Sequence, residues 1–366
     1  MQLSDFDYIL PPDLIAQHPL ESRDASRMLL LNRDSERDED RMFVEFPNVL
    51  RGDELIVVNN ARVIPARLLG CRVDRNSSRA NDREHSTAKD AEIEILLSRR
   101  LDDSHTWEAL VRPGRKMHVG QRVRFGDGEL EAEVMGHAAH GQRTLRFLSL
   151  DGKAVIDHIQ NLGHIPLPPY IDRGDEPSDQ ERYQTIFASR SGAIAAPTAG
   201  LHFTPEVLKQ IRERGGEICE LTLQVGLGTF QPIRSETLES HTMHSEEYEI
   251  SRETADRIIR AKDSGRRILA VGTTTVRALE SAALRARDSG SAQLLEVGSA
   301  EAHLFITPGF QFRVVDALLT NFHLPRSTLL ALVSAFAGRQ RILAAYRHAV
   351  QAGYRFYSYG DCMLIR

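Results

Sequence analysis

The sequence predicts an α/β protein whose main domain, built from both ends of the chain, carries an inserted small β-barrel domain. After residue 152, strand, loop and helix patterns follow one another, as they do in α/β folds. In residues 67–150, short alternating apolar stretches are separated by glycines, and no clear helix pattern interrupts them, which is typical of a small barrel. We therefore assign residues 1–64 and 152–366 to the α/β domain and residues 65–151 to the barrel.

Composition narrows the functional classes. The chain has 366 residues, 41% hydrophobic and 27% charged, which is enough to bury cores in about two domains. Its net charge of -5 gives no overall affinity for nucleic acid, so RNA contact requires a local basic patch. The three cysteines are far apart, which favours neither disulfides nor zinc. The first residues lack a signal-peptide pattern and no apolar stretch reaches about 18 residues, so we expect a cytoplasmic protein without membrane contact.

The first clear element is the apolar run at residues 55–58, which predicts a buried strand. In the barrel region, residues 107–111 and 121–125 alternate apolar and polar side chains and predict further strands. Residues 75–90 are polar and almost free of apolar side chains. They predict a loop insertion or a disordered segment, to which we give no function.

Helix signals follow in the second half. Thr204 and Pro205 predict the start of a helix that ends at Gly215, and the segment from Ser251 to Gly265 repeats the pattern. Residues 267–271 predict a strand that leads through a glycine-threonine turn into a helix over residues 276–287. Residues 354–359, YRFYSY, predict a buried aromatic strand, with a stacking surface for an RNA base as the functional alternative.

Five segments of the second half combine Gly, Thr, His and Pro beside apolar runs. Small residues let backbone amides approach a ligand closely, and the neighbouring hydroxyls and imidazoles supply polar contacts. These segments therefore predict an enzyme's pocket. They are APTAGLHFT from Ala196, QVGLGTF from Gln224, VGTTT from Val271, TNFHLP from Thr320 and YSYGD from Tyr357.

The segment GTTT from Gly272 places three hydroxyls at a predicted helix start, where free N–H groups favour an anion or ribose oxygens. A helix cap with β-branched packing is the alternative interpretation. Neither G-x-G-x-x-G nor a P-loop pattern occurs, which argues against hydride transfer and NTP hydrolysis. The histidines lack a spacing such as H-E-x-x-H, so we predict no metal site.

Long motifs such as FDYILPPDLIAQHP, VGTTTVRALES and TNFHLPRSTLLALVSAFAG closely resemble those of the S-adenosylmethionine:tRNA ribosyltransferase-isomerases of queuosine biosynthesis, and the resemblance runs from Phe6 to Ile365. It implies an α/β fold with an inserted β-barrel, and an enzyme that consumes S-adenosylmethionine as a ribosyl donor, with no separate cofactor. The acceptor implied is 7-aminomethyl-7-deazaguanine at the tRNA wobble position, and the products are epoxyqueuosine-tRNA, adenine and methionine. The motifs are APTAGLHFT, VGLGTF, VGTTTVRALES, TNFHLPRSTLLALVSAFAG, YRFYSYGDCML, FDYILPPDLIAQHP, GDELIVVNNARVIPARLLG and GHIPLPPYIDR.

The chain departs from the family's usual pattern at a few positions. Asn60 and Ala61 stand where the family commonly has an acid and a threonine, and Gln224 stands where it has a histidine. Because an amide does not titrate usefully, Asn60 and Gln224 are excluded as proton carriers.

The implied reaction needs a base and an acid, and the same segments offer candidates. His202 and His323 come first as catalytic residues, followed by Asp361 and Glu280; orientation of the substrate by hydrogen bonds is the alternative role. For substrate binding we expect Arg62, Pro197, Thr198, Gly200, Phe203, Gly226, Gly228, Thr229, Phe230, His244, Glu246, Thr273, Thr274, Thr275, Arg277, Asn321 and Tyr359.

For the tRNA, we expect the anticodon stem-loop to contact a basic group in the barrel region, and we expect no stable protein partner. The sequence from residue 112 to residue 124 contains no acid and carries Arg112, Arg115, Lys116, Arg122 and Arg124. Solvated surface arginines are the alternative interpretation. The competing tRNA surface consists of Arg313, Arg326, Arg339, Arg341, Arg347 and Arg355.

Two other functions stay open at this point. Another S-adenosylmethionine-dependent tRNA modifier, such as a methyltransferase, would release S-adenosylhomocysteine instead of adenine and methionine. An RNA-binding module with a vestigial pocket would bind tRNA without turnover.

Overall fold

A computed structural model of the chain describes residues 1–33, 35, 38–73, 92–101, 105–226, 237–241, 243 and 245–366. These residues form two compact units. The larger comprises Met1–Arg62, Pro168–Arg173 and Glu181–Arg366, and the smaller comprises Val63–Leu167 and Gly174–Gln180. The polar segment at residues 75–90 lies outside the described residues.

The strands, in chain order, are β1 (Arg27–Leu31), β2 (Asp38–Met42), β3 (Leu55–Asn59), β4 (Ala61–Val63), β5 (Arg67–Val73), β6 (Glu92–Arg100), β7 (Thr106–Arg112), β8 (Arg122–Phe125), β9 (Leu130–His137), β10 (Arg143–Ser149), β11 (Arg190–Ala193), β12 (Glu217–Leu223), β13 (Glu246–Ile250), β14 (Ile268–Val271), β15 (Gly298–Ala302), β16 (Ala317–Asn321) and β17 (Cys362–Ile365).

The α-helices are α1 (Phe46–Val49), α2 (Val155–Leu162), α3 (Asp179–Arg182), α4 (Pro205–Glu213), α5 (Arg252–Asp263), α6 (Thr273–Asp288), α7 (Thr328–Ala337) and α8 (Arg339–Gln351). Short 3-10 helices cover Leu3–Phe6, Pro12–Leu14, Arg23–Ala25, Phe43–Glu45, Gly114–Lys116, Ala139–Gly141 and Thr198–His202. None of the described helices is both long and apolar enough to cross a membrane.

A nine-stranded mixed sheet forms the framework of the larger unit. Its strand order is β15-β13-β12-β3-β14-β16-β17-β1-β2. The four neighbours β12, β3, β14 and β16 run parallel. Because the carboxyl ends of parallel strands meet at one edge of a sheet, the loops after β12, β14 and β16 come together there.

Both faces of this sheet are buried. On β3, Leu55 and Val57 pack into one hydrophobic cluster, whereas Ile56 and Val58 pack into another. Helices α5 to α8 contribute to the first cluster and α4 contributes to the second. Because both faces of such a strand are buried, its sequence is a continuous apolar run. The strand predicted at residues 55–58 is confirmed as part of β3.

The predicted helix starts are confirmed at two caps. The Thr204 hydroxyl accepts a hydrogen bond from the Val207 amide at 3.3 Å and begins α4. The Ser251 hydroxyl accepts one from the Thr254 amide at 3.1 Å and begins α5. These caps satisfy amides that have no acceptor within the helix, so a local sequence signal is enough to fix each start.

Two sequence predictions for the larger unit were wrong. Helix α6 begins at Thr273, three residues before the predicted start, because Gly272 adopts a φ of 89° and turns the chain directly into the helix. Residues 354–359 form no strand. Tyr357 has a positive φ of 70°, which is incompatible with an extended strand, and β17 begins only at Cys362.

The smaller unit contains a closed barrel of strand order β10-β7-β6-β5-β8-β9. Closure pairs every strand edge, and the interior is filled by apolar side chains such as Phe125 and Phe147, whose rings stack at 6.1 Å. The predicted fold class, an α/β protein with an inserted small β-barrel, is confirmed.

Candidate active site

A cleft opens in the larger unit at the carboxyl edge of the parallel strands. Val225 follows β12, Gly272 to Thr274 follow β14, and Thr320 to Leu324 lie at the end of β16. We call it the edge cleft. It is also lined by Tyr170, Ala196, Pro197, Thr198, Ala199, Ser327, Leu329, Tyr357 and Ser358. Segments that are distant in sequence thus meet where an open α/β sheet usually binds its ligand.

The N-terminus of α6 forms one wall of the edge cleft. Gly272 is the N-cap residue and provides no side chain to cap the helix. In the described part of the chain, no group accepts a hydrogen bond from the amides of Thr273, Thr274 or Thr275. The Thr274 hydroxyl is buried and likewise lacks a partner, whereas the Thr275 hydroxyl donates to the Val271 carbonyl at 2.7 Å. The edge cleft therefore contains polar groups that a ligand's oxygen atoms can satisfy.

His323 lies in the edge cleft with one ring nitrogen engaged. Its Nε2 is 2.8 Å from the Thr320 hydroxyl, and its backbone N–H donates to the Tyr346 hydroxyl at 3.0 Å. Within the described ranges, Nδ1 has no hydrogen-bond partner. Burial lowers the pKa of His323 to about 3, because a charged imidazolium is poorly solvated there. His323 is thus a neutral imidazole with a nitrogen available to a ligand.

A hydrogen-bonded chain runs from the edge cleft to His202. The Thr198 hydroxyl donates to Oδ1 of Asn321 at 2.9 Å, and Nδ2 of Asn321 donates to Nε2 of His202 at 3.2 Å. Since Nε2 accepts, the ring proton is on Nδ1, which donates to the Ser26 hydroxyl at 2.7 Å. Burial first, and then the positive charges of Arg23 and Arg355, lower the pKa of His202 to about 3. Both nitrogens of this neutral ring are engaged, and His202 does not line the edge cleft.

His202 instead lines a second pocket of the larger unit, which we call the arginine pocket. Its cationic side chains are Arg23 and Arg182. The remaining lining residues are Pro19, Leu20, Ser22, Ser26, Leu201, Ser358, Tyr359 and Gly360. Ser358 lines both cavities.

The two predicted carboxylic acids bind backbone amides. The Asp361 carboxylate accepts hydrogen bonds from the amides of Arg27 and Arg355, each at 2.8 Å. The Glu280 carboxylate accepts from three consecutive amides, those of residues 313 to 315, at 2.9 to 3.0 Å. Burial raises the pKa of both carboxyls. Neither side chain lines the edge cleft, and the geometry is that of carboxylates that hold loops in place.

Glu246 and Arg277, predicted to bind substrate, form a buried ion pair. The Glu246 carboxylate also accepts from the Gly226 amide at 3.1 Å, and Arg277 donates to the carbonyls of Ala302 and Leu304. Both side chains are almost fully buried. They fix Gly226 next to Val225, which does line the edge cleft.

The other predicted binding residues differ in where they lie. Pro197, Thr198, Thr273, Thr274 and Asn321 line the edge cleft, and Tyr359 lines the arginine pocket. Gly200, Phe203 and Thr275 are buried outside the lining, and Arg62 is exposed on β4. At Gly200, an added Cβ would lie 2.9 Å from Cγ2 of Thr185, so close packing explains the glycine. Gly228, Thr229, Phe230 and His244 lie outside the described residues.

Sequence reasoning missed Tyr170 as a site residue. Its ring centroid lies 4.5 Å from that of Tyr357, and its hydroxyl is 2.6 Å from the Ser358 hydroxyl. The two rings form an aromatic wall of the edge cleft. The signal was present in the motif GHIPLPPYIDR, which contains Tyr170.

In the smaller unit, the predicted basic group is partly neutralised. Strands β8 and β9 pair so that Arg122 faces Glu133 and Arg124 faces Glu131, and both pairs form ion pairs at about 3 Å. Arg112 is mostly exposed and lies 3.7 Å from Glu94. Arg115 and Lys116 are exposed and form no ion pair with the described residues. The second basic group is compensated in the same way at Arg326, Arg339 and Arg341, which pair with Asp7, Asp5 and Asp38.

Comparisons with known proteins agree with one another. The family model described as queuosine biosynthesis protein matches residues 3–365. Proteins named S-adenosylmethionine:tRNA ribosyltransferase-isomerase from Solibacter usitatus and Desulfitobacterium hafniense are 50% and 48% identical to this chain, each over the full length of both sequences. The crystal structure of a Thermotoga maritima S-adenosylmethionine tRNA ribosyltransferase is similar with a TM-score of 0.53 and 37% identity, covering 99% of this chain and 100% of that one.

Proposed function

The chain belongs to the S-adenosylmethionine:tRNA ribosyltransferase-isomerases, the enzymes of the queuosine biosynthesis family, and from this premise we propose its substrates and products. It transfers and isomerises the ribosyl group of S-adenosylmethionine onto 7-aminomethyl-7-deazaguanine at the wobble position of tRNA. Epoxyqueuosine-tRNA, adenine and methionine are released. S-adenosylmethionine is consumed as a substrate, the reaction takes place in the cytoplasm, and the RNA is held by its anticodon stem-loop.

The observation that carries this proposal is the composition of the edge cleft. It brings together a neutral imidazole, an uncapped helix N-terminus and an aromatic wall. S-adenosylmethionine carries a positively charged sulfur, which suits the aromatic wall, and the oxygen atoms of a carboxylate and a ribose, which suit the helix N-terminus. Its reaction also needs a base, which the neutral imidazole can provide. The cleft also lies at the carboxyl edge of the parallel strands, where α/β enzymes usually assemble their sites.

The aromatic wall supports binding of the positively charged sulfur. A cation near the face of a tyrosine ring is attracted by its quadrupole, and this attraction grows when water is excluded. Tyr357 is buried and Tyr170 is partly buried, so the sulfonium would lose much of its water beside them. The N-terminus of α6, with the unpartnered hydroxyl of Thr274, would bind oxygen atoms of the same donor.

His323 is assigned the role of base. The sulfonium acidifies the neighbouring 5′ carbon, and a positioned base removes a proton from it while adenine leaves the ribose. The acceptor amine then attacks the activated sugar, and departure of methionine as a neutral thioether closes the epoxide. His323 suits the first step because its ring is neutral and its Nδ1 is available, and because the Thr320 hydroxyl holds the ring through Nε2.

Asn321 and His202 are assigned positioning roles. Asn321 lines the edge cleft and is held at both ends of its amide, by Thr198 and by His202. Because His202 has no free nitrogen, it orients the Asn321 amide instead of exchanging a proton with substrate. This assignment separates the two histidines that the sequence predicted as equivalent.

Product analysis tests the proposed function. The enzyme is incubated with S-adenosylmethionine and tRNA carrying the aminomethyl base, and the nucleosides and small molecules are identified by mass. We expect epoxyqueuosine in the RNA, together with equal amounts of adenine and methionine. Release of S-adenosylhomocysteine would identify a methyltransferase instead, and tRNA binding without any turnover would identify an RNA-binding module with a vestigial pocket.

A further inference from the structure

The arginine pocket presents two guanidinium groups that form no ion pair with any described residue. Arg23 donates to the backbone carbonyls of Leu201 at 3.3 Å and Glu181 at 2.9 Å. Arg182 donates to the carbonyls of Leu20 and Glu21 at 2.6 and 2.8 Å. Both side chains are partly buried. Backbone carbonyls fix the position of a guanidinium but carry no net charge, so these contacts neutralise neither arginine.

Carboxylates near this pocket have other partners or lie beyond ion-pair distance. Asp24 accepts hydrogen bonds from Ser22 at 2.5 Å and from Thr204 at 3.3 Å. The charge of Glu181 acts on Arg23 from a distance, and Asp361 is held by two amides. Among the described residues, no carboxylate forms an ion pair with Arg23 or Arg182. Elsewhere on the larger unit, arginines such as Arg285 and Arg326 pair with Glu296 and Asp7.

A third cation lies close to this pocket. Arg355 donates to the His18 carbonyl, and its other terminal nitrogen is buried and has no hydrogen-bond partner among the described residues. The charge of Arg355 also acts on the ring of His202, which lines the pocket. Burial and the neighbouring Arg182 lower the pKa of Arg23, so a bound anion would relieve a repulsion that already exists.

We propose that the arginine pocket binds one backbone phosphate of the substrate RNA, next to the nucleotide whose base enters the edge cleft. This inference rests on the proposed function, because it takes the RNA as substrate. Guanidinium groups match the geometry of phosphate oxygens in bidentate contacts. The edge cleft and the arginine pocket share Ser358 and are connected through the Asn321–His202 hydrogen bond. In this arrangement, a single nucleotide splayed from its stack would place its base in the edge cleft and its phosphate in the arginine pocket.

Binding of an anticodon stem-loop tests this proposal without turnover. Affinity is measured over a range of salt concentrations for the wild type and for the variants Arg23→Gln and Arg182→Gln. We expect each variant to bind about tenfold more weakly, since a charge-assisted hydrogen bond is lost, and its salt slope to fall by about one. The affinity for S-adenosylmethionine should stay unchanged, and Arg285→Gln, which removes a paired arginine of the same unit, serves as the matched control.

Two further measurements separate phosphate binding from damage to the fold. Arg23→Lys keeps the positive charge, so it should keep most of the salt slope if that charge binds phosphate. If Arg23 acts only through its hydrogen bonds to backbone carbonyls, Arg23→Lys should bind RNA as weakly as Arg23→Gln. Stem-loops are also made with one phosphate at a time replaced by a neutral methylphosphonate. We expect one replacement, at a phosphate beside the wobble nucleotide, to weaken binding of the stem-loop to the wild-type protein. The same replacement should not weaken its binding to Arg23→Gln.

Three results would overturn the assignment. They are equal losses for Arg23→Lys and Arg23→Gln, a loss of S-adenosylmethionine binding with RNA binding intact, and equal effects of every methylphosphonate on wild type and variant. The second would indicate that the arginine pocket binds the donor's carboxylate. Because these readouts need no turnover, a failure of the proposed reaction would appear separately, in the products formed by the wild type.

Discussion

Nδ2 of Asn321 donates a hydrogen bond to Nε2 of His202 across 3.2 Å. The contact joins a residue of the edge cleft to a residue of the arginine pocket. It also fixes the tautomer of His202, because a nitrogen that accepts from an amide carries no proton. The two histidines of the site therefore differ in what they can do, since only His323 keeps a nitrogen available.

Replacement of His323 by alanine tests the base assignment. We expect turnover to fall by about a hundredfold or more, with a smaller change in the KM for S-adenosylmethionine, because proton transfer is lost while most binding contacts remain. Steady-state kinetics with modified tRNA measures both parameters. His303→Ala is the control, since that histidine is exposed and pairs with Glu301. A His323→Ala enzyme as fast as the wild type would remove histidine from the proton-transfer role.

Thr274 and Thr275 are neighbours with opposite expected responses to replacement by valine. Thr274→Val removes a buried hydroxyl that has no hydrogen-bond partner in the described part of the chain, at a residue that lines the edge cleft. We expect its melting temperature to stay equal or rise, because an unsatisfied polar group is lost, and its KM for S-adenosylmethionine to rise by about tenfold. Thermal unfolding and steady-state kinetics measure the two effects.

Thr275→Val is the matched control for that change. The Thr275 hydroxyl donates to the Val271 carbonyl and lies outside the edge cleft, so its loss should lower the melting temperature and leave the KM nearly unchanged. The ligand role of Thr274 is rejected when both variants lose stability and neither changes the KM.

Local sequence signals predicted much of this architecture. The apolar run at residues 55–58 and the caps at Thr204 and Ser251 depend on neighbours within a few positions, so the pattern alone determines them. Asn321 and His323 were predicted as site residues from the segment that contains both. The structure places them in the edge cleft because they lie at the end of β16, and the carboxyl ends of parallel strands meet at one edge of the sheet.

Long-range pairing explains what the sequence did not reveal. Asp361 and Glu280 stand within or beside motif segments. However, the Asp361 carboxylate binds the amide of Arg27, which is 334 positions away in the sequence, and the Glu280 carboxylate binds that of Arg313, which is 33 positions away. Similarly, a run of basic residues without acids between 112 and 124 suggested a strong positive patch. The register of β8 against β9 places Glu133 and Glu131 opposite two of them, and no local pattern encodes that register.

Protonation of the two buried histidines should destabilise the protein in mild acid. Their pKa values are about 3 in the folded state, against about 6.5 for an ordinary histidine. Between these values the unfolded chain binds protons that the folded chain does not, so stability falls as the pH drops below about 6.5. Each histidine contributes a slope of about 1.4 kcal/mol per pH unit in that range.

Urea unfolding of the wild type and of His202→Gln, measured from pH 7.5 to pH 4, checks this dependence. Acidic groups also affect the wild-type curve, so the difference between the two proteins is the informative quantity. We expect the stability difference between wild type and variant to shrink as the pH falls. Parallel curves over the whole range would show that His202 titrates as an ordinary histidine.

The ion pairs of the barrel distinguish two pairs of basic residues with different expected effects on tRNA binding. Arg115 and Lys116 form no ion pair with the described residues, whereas Arg122 and Arg124 are paired across β8 and β9. The variant Arg115→Gln/Lys116→Gln should reduce the salt slope of tRNA binding by about two, because each lost phosphate contact lowers it by about one. The variant Arg122→Gln/Arg124→Gln removes the same charge and should leave the slope nearly unchanged, since Arg122 and Arg124 already have carboxylate partners.

Salt titrations of tRNA binding by both variants test these two expectations, with S-adenosylmethionine binding as an internal control. An unchanged slope in Arg115→Gln/Lys116→Gln would exclude this part of the barrel from tRNA contact and favour the competing arginines near the C-terminus.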